Sequence, residues 1–142
     1  MGTTFDICQK TLAAFDTGRL DDFDTLFHWD GEMTMPHAAL RGPEQIKGML
    51  AGYREAFSDM RHEILNYVES ADTLAWELLV TATHTGTMVT PGGDVPPTGK
   101  KVEWHAADYI KVVDGRVASW HVYFDQVALL TQLGLMPSPA TA

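Results

Sequence analysis

Basic residues are scarce. Ten Lys and Arg stand against nineteen Asp and Glu in 142 residues, a net charge of −9 with histidine neutral. A chain this acidic repels phosphate backbones, and no basic run offsets the sum, so nucleic acid is excluded as a partner. Cysteine is nearly missing: Cys8 is alone, cannot form an internal disulfide, and fits a reducing cytoplasm. No apolar stretch approaches the ~20 residues that cross a bilayer. The start, MGTTFDICQK, has no basic segment followed by an apolar one, so neither a membrane span nor a secretory leader is expected. HExxH, GxSxG and phosphate-loop patterns are absent, and the six histidines have no metal-ligand spacing. No metal and no cofactor are expected.

What is present is ordinary for a folded domain: 45% hydrophobic and 20% charged residues, in a chain long enough to bury one core. One domain is expected over residues 1–136, with a flexible Pro-Ser-Pro tail over 137–142. Thr3 and Asp6 form a capping box ahead of a helix that carries Cys8, Leu12 and Phe15 and stops at Gly18. Asp21 can cap a short second helix. An extended segment, Glu32 to Pro36, precedes a third helix opened by Gly42-Pro43, with Ile46, Leu50, Tyr53 and Phe57 on its apolar stripe. Strands follow over Arg61 to Glu69 and Thr73 to Thr87, then a loop from Pro91 to Gly99. Two more strands, Lys101 to Val113 and Arg116 to Phe124, are joined by Asp114-Gly115, and a helix from Asp125 to Leu135 closes the chain. Helices followed by an antiparallel meander predict an α+β fold with helices on one sheet face.

Strand side chains alternate faces, so parity separates inside from outside. From Lys101 onward the even positions, Val102, Trp104, Ala106, Asp108, Ile110 and Val112, are the buried set, and Asp108 is its one charged member. Trp76, Leu78, Val80, Ala82 and His84 share a face, as do Trp120, Val122 and Phe124. Closing the Asp114-Gly115 turn pairs Asp108 with Val122, and closing the longer loop brings it near Leu78. A carboxyl among Leu, Val, Trp and Phe escapes the cost of burial by a raised pKa, which suits a general acid or hydrogen-bond donor. The alternative is a structural acid bonded to Thr11, Tyr53 or a backbone amide. His84, at the strand end, could relay a proton to Asp108 or hold a polar substrate group. His37 could also reach the rim, Tyr53 could aim its hydroxyl inward, and Met35 supplies an adaptable wall. His105 and His121 fall on the outer face.

The segments THTG (Thr83 to Gly86), PPTGK (Pro96 to Lys100), VDGRV (Val113 to Val117) and YFDQVALLTQLGL (Tyr123 to Leu135) resemble SnoaL-like polyketide cyclases. TMP (Thr34 to Pro36) and WHVYFD (Trp120 to Asp125) are also similar to limonene-epoxide hydrolases. The resemblance implies a nuclear-transport-factor-2-like cone, a curved antiparallel sheet wrapped around N-terminal helices, dimerising through its outer face. It also implies site positions, and here the chain departs. These cyclases place an acid at Val122 and a His at Asp108. Epoxide hydrolases place Asp, Arg and Asp at Val80, Leu78 and Val122. The more distant ketosteroid isomerases place their groups at Thr11, Met35 and Asp108, of which only the acid remains.

The expectation is therefore a cofactor-independent cyclase or isomerase acting by acid–base chemistry on a hydrophobic polyketide-, steroid- or terpenoid-like molecule. Asp108 and His84 are the catalytic candidates. Tyr53, Met35, Leu78, Val80, Trp104, Trp120, Val122 and Phe124 are the candidate pocket wall. Two alternatives stand beside it: a binding protein that kept the pocket without the chemistry, and epoxide hydrolysis by a changed residue set.

Overall fold

The Thr3 hydroxyl accepts the Asp6 amide at 3.1 Å and the Asp6 carboxylate accepts the Thr3 amide at 3.2 Å. This reciprocal pair starts helix α1 (Thr4–Asp16), which buries Cys8, Thr11, Leu12 and Ala14. The computed structural model describes residues 3–90 and 92–136; the tail expected at 137–142 lies outside them. After α1 a 3₁₀ turn (Leu20–Asp22) leads into α2 (Phe23–Leu26), and Asp21 sits inside that turn rather than capping the helix.

The extended segment expected at Glu32 to Pro36 is a full hairpin, β1 (Phe27–Met35) with β2 (Ala38–Arg41). Its extent escapes parity because β1 runs parallel to a distant strand and does not alternate cleanly between buried and exposed positions. Helix α3 (Pro43–Ala56) has Pro at its first turn, where the missing N–H has no partner to lose, and buries Ile46, Leu50 and Ala56. The remaining strands are β3 (Arg61–Ser70), β4 (Thr73–Thr83), the short pair β5 (Met88–Thr90) and β6 (Gly93–Val95), then β7 (Lys101–Val113) and β8 (Arg116–Phe124). Asp125 accepts the Ala128 amide at 2.9 Å and caps α4 (Gln126–Gln132).

Six strands form one curved sheet in the order β2-β1-β8-β7-β4-β3, antiparallel except for β1 with β8. The Asp114-Gly115 turn has φ of +51° and +78°, the mirror-image geometry that matches strand twist, and it sets Asp108 opposite Val122. On the other side the partner of Asp108 is Trp76, not Leu78, which faces Ala106. That register is held by the end of β4, where the His84 amide donates to Lys100 O and the Gly99 amide to His84 O. β4 stops at Thr83 rather than Thr87 because the Thr85 and Gly86 amides turn away to Ala56 O, at 3.0 and 3.1 Å. The proline-rich loop then carries the β5–β6 hairpin.

β7 alternates strictly between buried and exposed, so its even positions are inward as parity requires. β3 does not, because a bulge interrupts its pairing with β4 between Ile64 and Asn66. Beyond the bulge Tyr67 stacks on Phe5 of α1 at 4.2 Å, and Glu69 accepts the Phe5 amide. The helices thus lie on the concave face, and the core runs between them and the sheet. Among the described residues no helix is long and apolar enough to cross a membrane.

Candidate functional site

Between the concave sheet face and helices α1 to α3 lies a chamber of about 80 Å³. The sheet contributes Leu78 and Val80 from β4, Trp104, Ala106 and Asp108 from β7, and Trp120, Val122 and Phe124 from β8. Met35 from β1 and Tyr53 from α3 complete the wall expected from the sequence. The helices add residues that parity could not assign, notably Thr11, Phe15 and Phe23.

Asp108 is 5% exposed. Its Oδ2 accepts the Trp76 and Trp120 indole N–H groups, each at 3.0 Å. Neither Thr11 nor Tyr53 binds it: the Thr11 hydroxyl donates to Ile7 O. The two indoles stand on either side, their rings packed edge to face at 5.9 Å. Oδ1 is buried and has no hydrogen-bond partner. Burial pushes the Asp108 carboxyl above the usual carboxylate range, while the two indole hydrogen bonds pull the other way. With Oδ2 accepting two N–H groups, Oδ1 is the oxygen left to carry a proton when the acid is neutral. In that form the acid is an O–H donor with no acceptor among the described residues. Because Asp108 and Val122 are cross-strand partners and both line the chamber, the two positions face the same space.

Removing an indole donor tests the balance. Trp120→Phe should move the Asp108 titration midpoint higher still, read by carbon-13 NMR of labelled aspartate against an Asp108→Asn control.

His84 is not part of this chamber. It is fully buried beside Phe57, with ring centroids 5.4 Å apart. Its Nδ1 accepts the Thr98 amide at 3.2 Å and lies 2.9 Å from the Thr98 hydroxyl. The ring is pinned under the proline-rich loop, and desolvation lowers its pKa. The expected relay to Asp108 has no path here; His84 clasps the loop to the end of β4. Sequence parity placed it inward, as it is, but four residues past Val80 along a curved sheet is already beyond the chamber.

A histidine given no role by the sequence takes a place in the wall. His62, at the start of β3, lines the chamber, and its Nδ1 lies 2.6 Å from Asp16 Oδ1. The two residues are 46 positions apart, and no local spacing announces the pair.

Tyr53 joins the chamber to a larger outer groove of about 890 Å³, lined by Met49 of α3, the β5–β6 hairpin, and Leu129 and Leu130 of α4. Burial pushes the Tyr53 phenol up to about 12, so it remains an O–H group at the neck, 3.4 Å from His37 Nε2. His105 is exposed on the outer face, and His121 there meets Glu32 Oε1 at 3.2 Å.

Comparison with known proteins agrees with this fold. A family model described as SnoaL-like polyketide cyclase matches residues 6–133. The aklanonic acid methyl ester cyclase DnrD of Streptomyces peucetius is 28% identical over 140 residues, covering 94% of this chain and 92% of that protein. The nogalonic acid methyl ester cyclase of Streptomyces nogalater is 28% identical over 126 residues, covering 87% and 91%. Among solved structures, AclR of Streptomyces galilaeus, described as a candidate hydroxylase, superposes with a TM-score of 0.80 at 26% identity. That match covers 97% of this chain and 85% of that one. An LEH-like epoxide hydrolase of M. tuberculosis shares the fold, with a TM-score of 0.70 at 15% identity over 92% and 88% of the two chains.

Proposed function

The chain belongs to the SnoaL-like polyketide cyclase family, and from that premise we propose that it closes a carbon ring in a hydrophobic polyketide ester by intramolecular aldol addition. An α-C–H bond breaks to give an enolate, the enolate carbon bonds to a ketone carbon, and the ketone oxygen takes up a proton. The observation that carries this reading is Asp108, a carboxyl with raised pKa and an unpartnered Oδ1 in a dry apolar chamber. It donates its hydrogen bond, then its proton, to the oxygen where negative charge develops. The wall around it is apolar, so this donation is stronger than it would be in bulk water.

A chamber of 80 Å³ holds only the reacting end of a fused-ring substrate, since drug-sized ligands need roughly 300 Å³ or more. The outer groove supplies the remaining space, and the Tyr53 hydroxyl at the neck can hold a substrate oxygen. Apolar Leu78, Val80 and Val122 favour a second reading, a binding protein without turnover. They count against the epoxide-hydrolase route, whose water-activating set the resemblance places at those three positions. An uncovered outer sheet face, with Tyr109 49% and Tyr123 59% exposed, supports assembly as a homodimer. The lone free thiol, Cys8, buried and raised to about 12 by desolvation, supports a cytoplasmic setting and no part in the chemistry.

The test is incubation with aklanonic acid methyl ester and nogalonic acid methyl ester, products being followed by liquid chromatography and mass spectrometry. Ring closure appears as a product of unchanged mass and altered retention, lost in Asp108→Leu. Binding of either ester with no product supports the binding reading, and diol formation from limonene oxide would establish hydrolysis in its place.

A further inference from the structure

Aldol addition needs a base as well as an acid, and Asp108 in its neutral form cannot be that base. We propose that His62, oriented by Asp16, removes the α-proton of the substrate from the other side of the chamber; this rests on the cyclase reading given above. His62 and Asp16 meet where the last residue of α1 abuts the first turn of the sheet. The Asp16 carboxylate takes two N–H groups from the same residue: the His62 backbone amide on Oδ2 at 3.1 Å and the ring Nδ1 on Oδ1 at 2.6 Å. Two anchors on one carboxylate fix both the strand start and the ring plane. They also fix the tautomer, because an Nδ1 that donates to a carboxylate leaves Nε2 as the basic nitrogen. No hydrogen bond among the described residues occupies Nε2, while His62 lines the chamber.

The backbone that carries this carboxylate is itself held. Arg54 of α3 donates from Nη1 to Asp16 O at 2.9 Å and Phe15 O at 3.3 Å, fixing the end of α1. The Phe15 ring lies 5.5 Å from the imidazole. The His62 side chain is 10% exposed and Asp16 is 22% exposed, so the carboxylate stands on the solvent side and the imidazole between it and the chamber. The charged and titratable groups facing this ring are therefore Asp16 from α1, Arg54 from α3 acting through the helix end, and Asp108 from β7, whose own ionisation responds to His62.

Acid and base are set apart by the sheet. His62 pairs with Val80, and Asp108 pairs with Trp76, so Leu78 is the inward position that separates the two rungs on β4. A substrate lying over Leu78 presents its α-carbon to one group and the oxygen of its accepting ketone to the other. The C–H bond breaks toward Nε2, the electron pair enters the enolate, the enolate carbon bonds to the ketone carbon, and the ketone oxygen gains its proton from Asp108. After the carbon–carbon bond forms, the imidazolium and the Asp108 carboxylate return to their starting states by proton exchange with solvent. No other reactant is consumed.

Deuterium exchange at the α-carbon of 2-tetralone in D₂O isolates this step from ring closure. The wild-type protein should accelerate exchange, and His62→Gln should lower the rate at least ~100-fold with 2-tetralone affinity held within a few-fold. Asp16 is a positioning residue, so its test needs a signature that a mere tie between helix and strand would not move. Nitrogen-15 NMR of labelled histidine should show His62 as the Nδ1–H tautomer, converted to Nε2–H in Asp16→Asn with a large loss of exchange, and kept in Asp16→Glu with exchange restored. An Nε2–H tautomer in the wild type overturns the proposal without any variant having to fold. Wild-type exchange rates in His62→Gln, with Asp108→Asn impaired, place the base elsewhere and leave the cyclase reading intact. A fall in Tm alone for Asp16→Asn, with rate and tautomer unchanged, reduces the pair to a structural tie. If the wild type neither exchanges 2-tetralone nor closes either ester, the cyclase reading itself fails, and the base role with it.

Discussion

Asp108→Asn should lower kcat for ring closure by roughly 10²-fold or more while substrate affinity stays within a few-fold. Asn keeps an oxygen for the Trp76 and Trp120 indoles and puts an amide N–H where the acid has its O–H, so packing and the hydrogen bond to substrate survive. What is lost is the capacity to give up a proton. Asp108→Leu removes the hydrogen bond too, and should fall further. The same variant carries a thermodynamic signature. Folding raises this carboxyl's pKa above its ordinary 3.8 through burial. Its favourable contribution to stability is therefore complete below the unfolded value and declines as pH climbs through the folded one. Asn does not ionise and escapes that decline. The Tm of Asp108→Asn minus that of the wild type should therefore rise with pH through that interval. Parallel Tm curves would show that the acid is not desolvated, and would remove the neutral donor from the mechanism.

The largest expected loss of stability lies away from the chamber. A Cβ added at Gly86 would collide with Glu55 O and sit 2.8 Å from the Glu55 carbonyl carbon. Both are backbone atoms at the end of α3 and cannot swing aside as a side-chain tip would. Gly86→Ala must lift the chain from the helix end, breaking the hydrogen bonds that the Thr85 and Gly86 amides donate to Ala56 O. Two lost hydrogen bonds and the overpacking together amount to about 3 kcal/mol, or roughly 10 °C in Tm for a chain of this size. Gly48 is the control of opposite sign: nothing lies within 4 Å of its would-be Cβ in α3, so Gly48→Ala should gain up to ~1 kcal/mol. Because the displaced segment leads into the β5–β6 hairpin, Gly86→Ala should also weaken binding of ligands that reach the outer groove, measured by titration calorimetry at a temperature where the variant is folded.

The sequence exposed Asp108 because β7 is a clean two-sided strand, and a tight Asp-Gly turn leaves little freedom in the partner register. The same logic failed by two residues on the other edge. There the loop between β4 and β7 holds a hairpin of its own, and register depends on the His84 clasp rather than on a turn. His84 itself shows the limit of parity, which reports the face of a sheet but not how far along a curved face the cavity extends. The β1–β2 hairpin was hidden because its main partner, β8, is parallel and nearly ninety residues later. The Asp16–His62 pair was hidden for a similar reason: a helix end meets a strand start across a contact that no periodicity encodes. The bulge after Ile64 also cuts the alternation short, leaving a run from Arg61 to Ile64 too brief to mark His62 as facing inward.

The placement of the tryptophans gives the protein an optical property. Of its four tryptophans, Trp104 and Trp120 line the chamber and Trp76 holds the carboxylate of Asp108, while Trp29 is 81% exposed. Emission from the first three arises in an apolar shell at the ligand's position, and emission from Trp29 comes red-shifted from water. A conjugated polyketide entering the chamber accepts excitation from the buried indoles at near-contact distance and quenches them selectively. Trp29→Phe strips away the solvent-exposed signal, and the remaining fluorescence becomes a label-free gauge of occupancy, fast enough to time substrate entry and product departure within a single turnover.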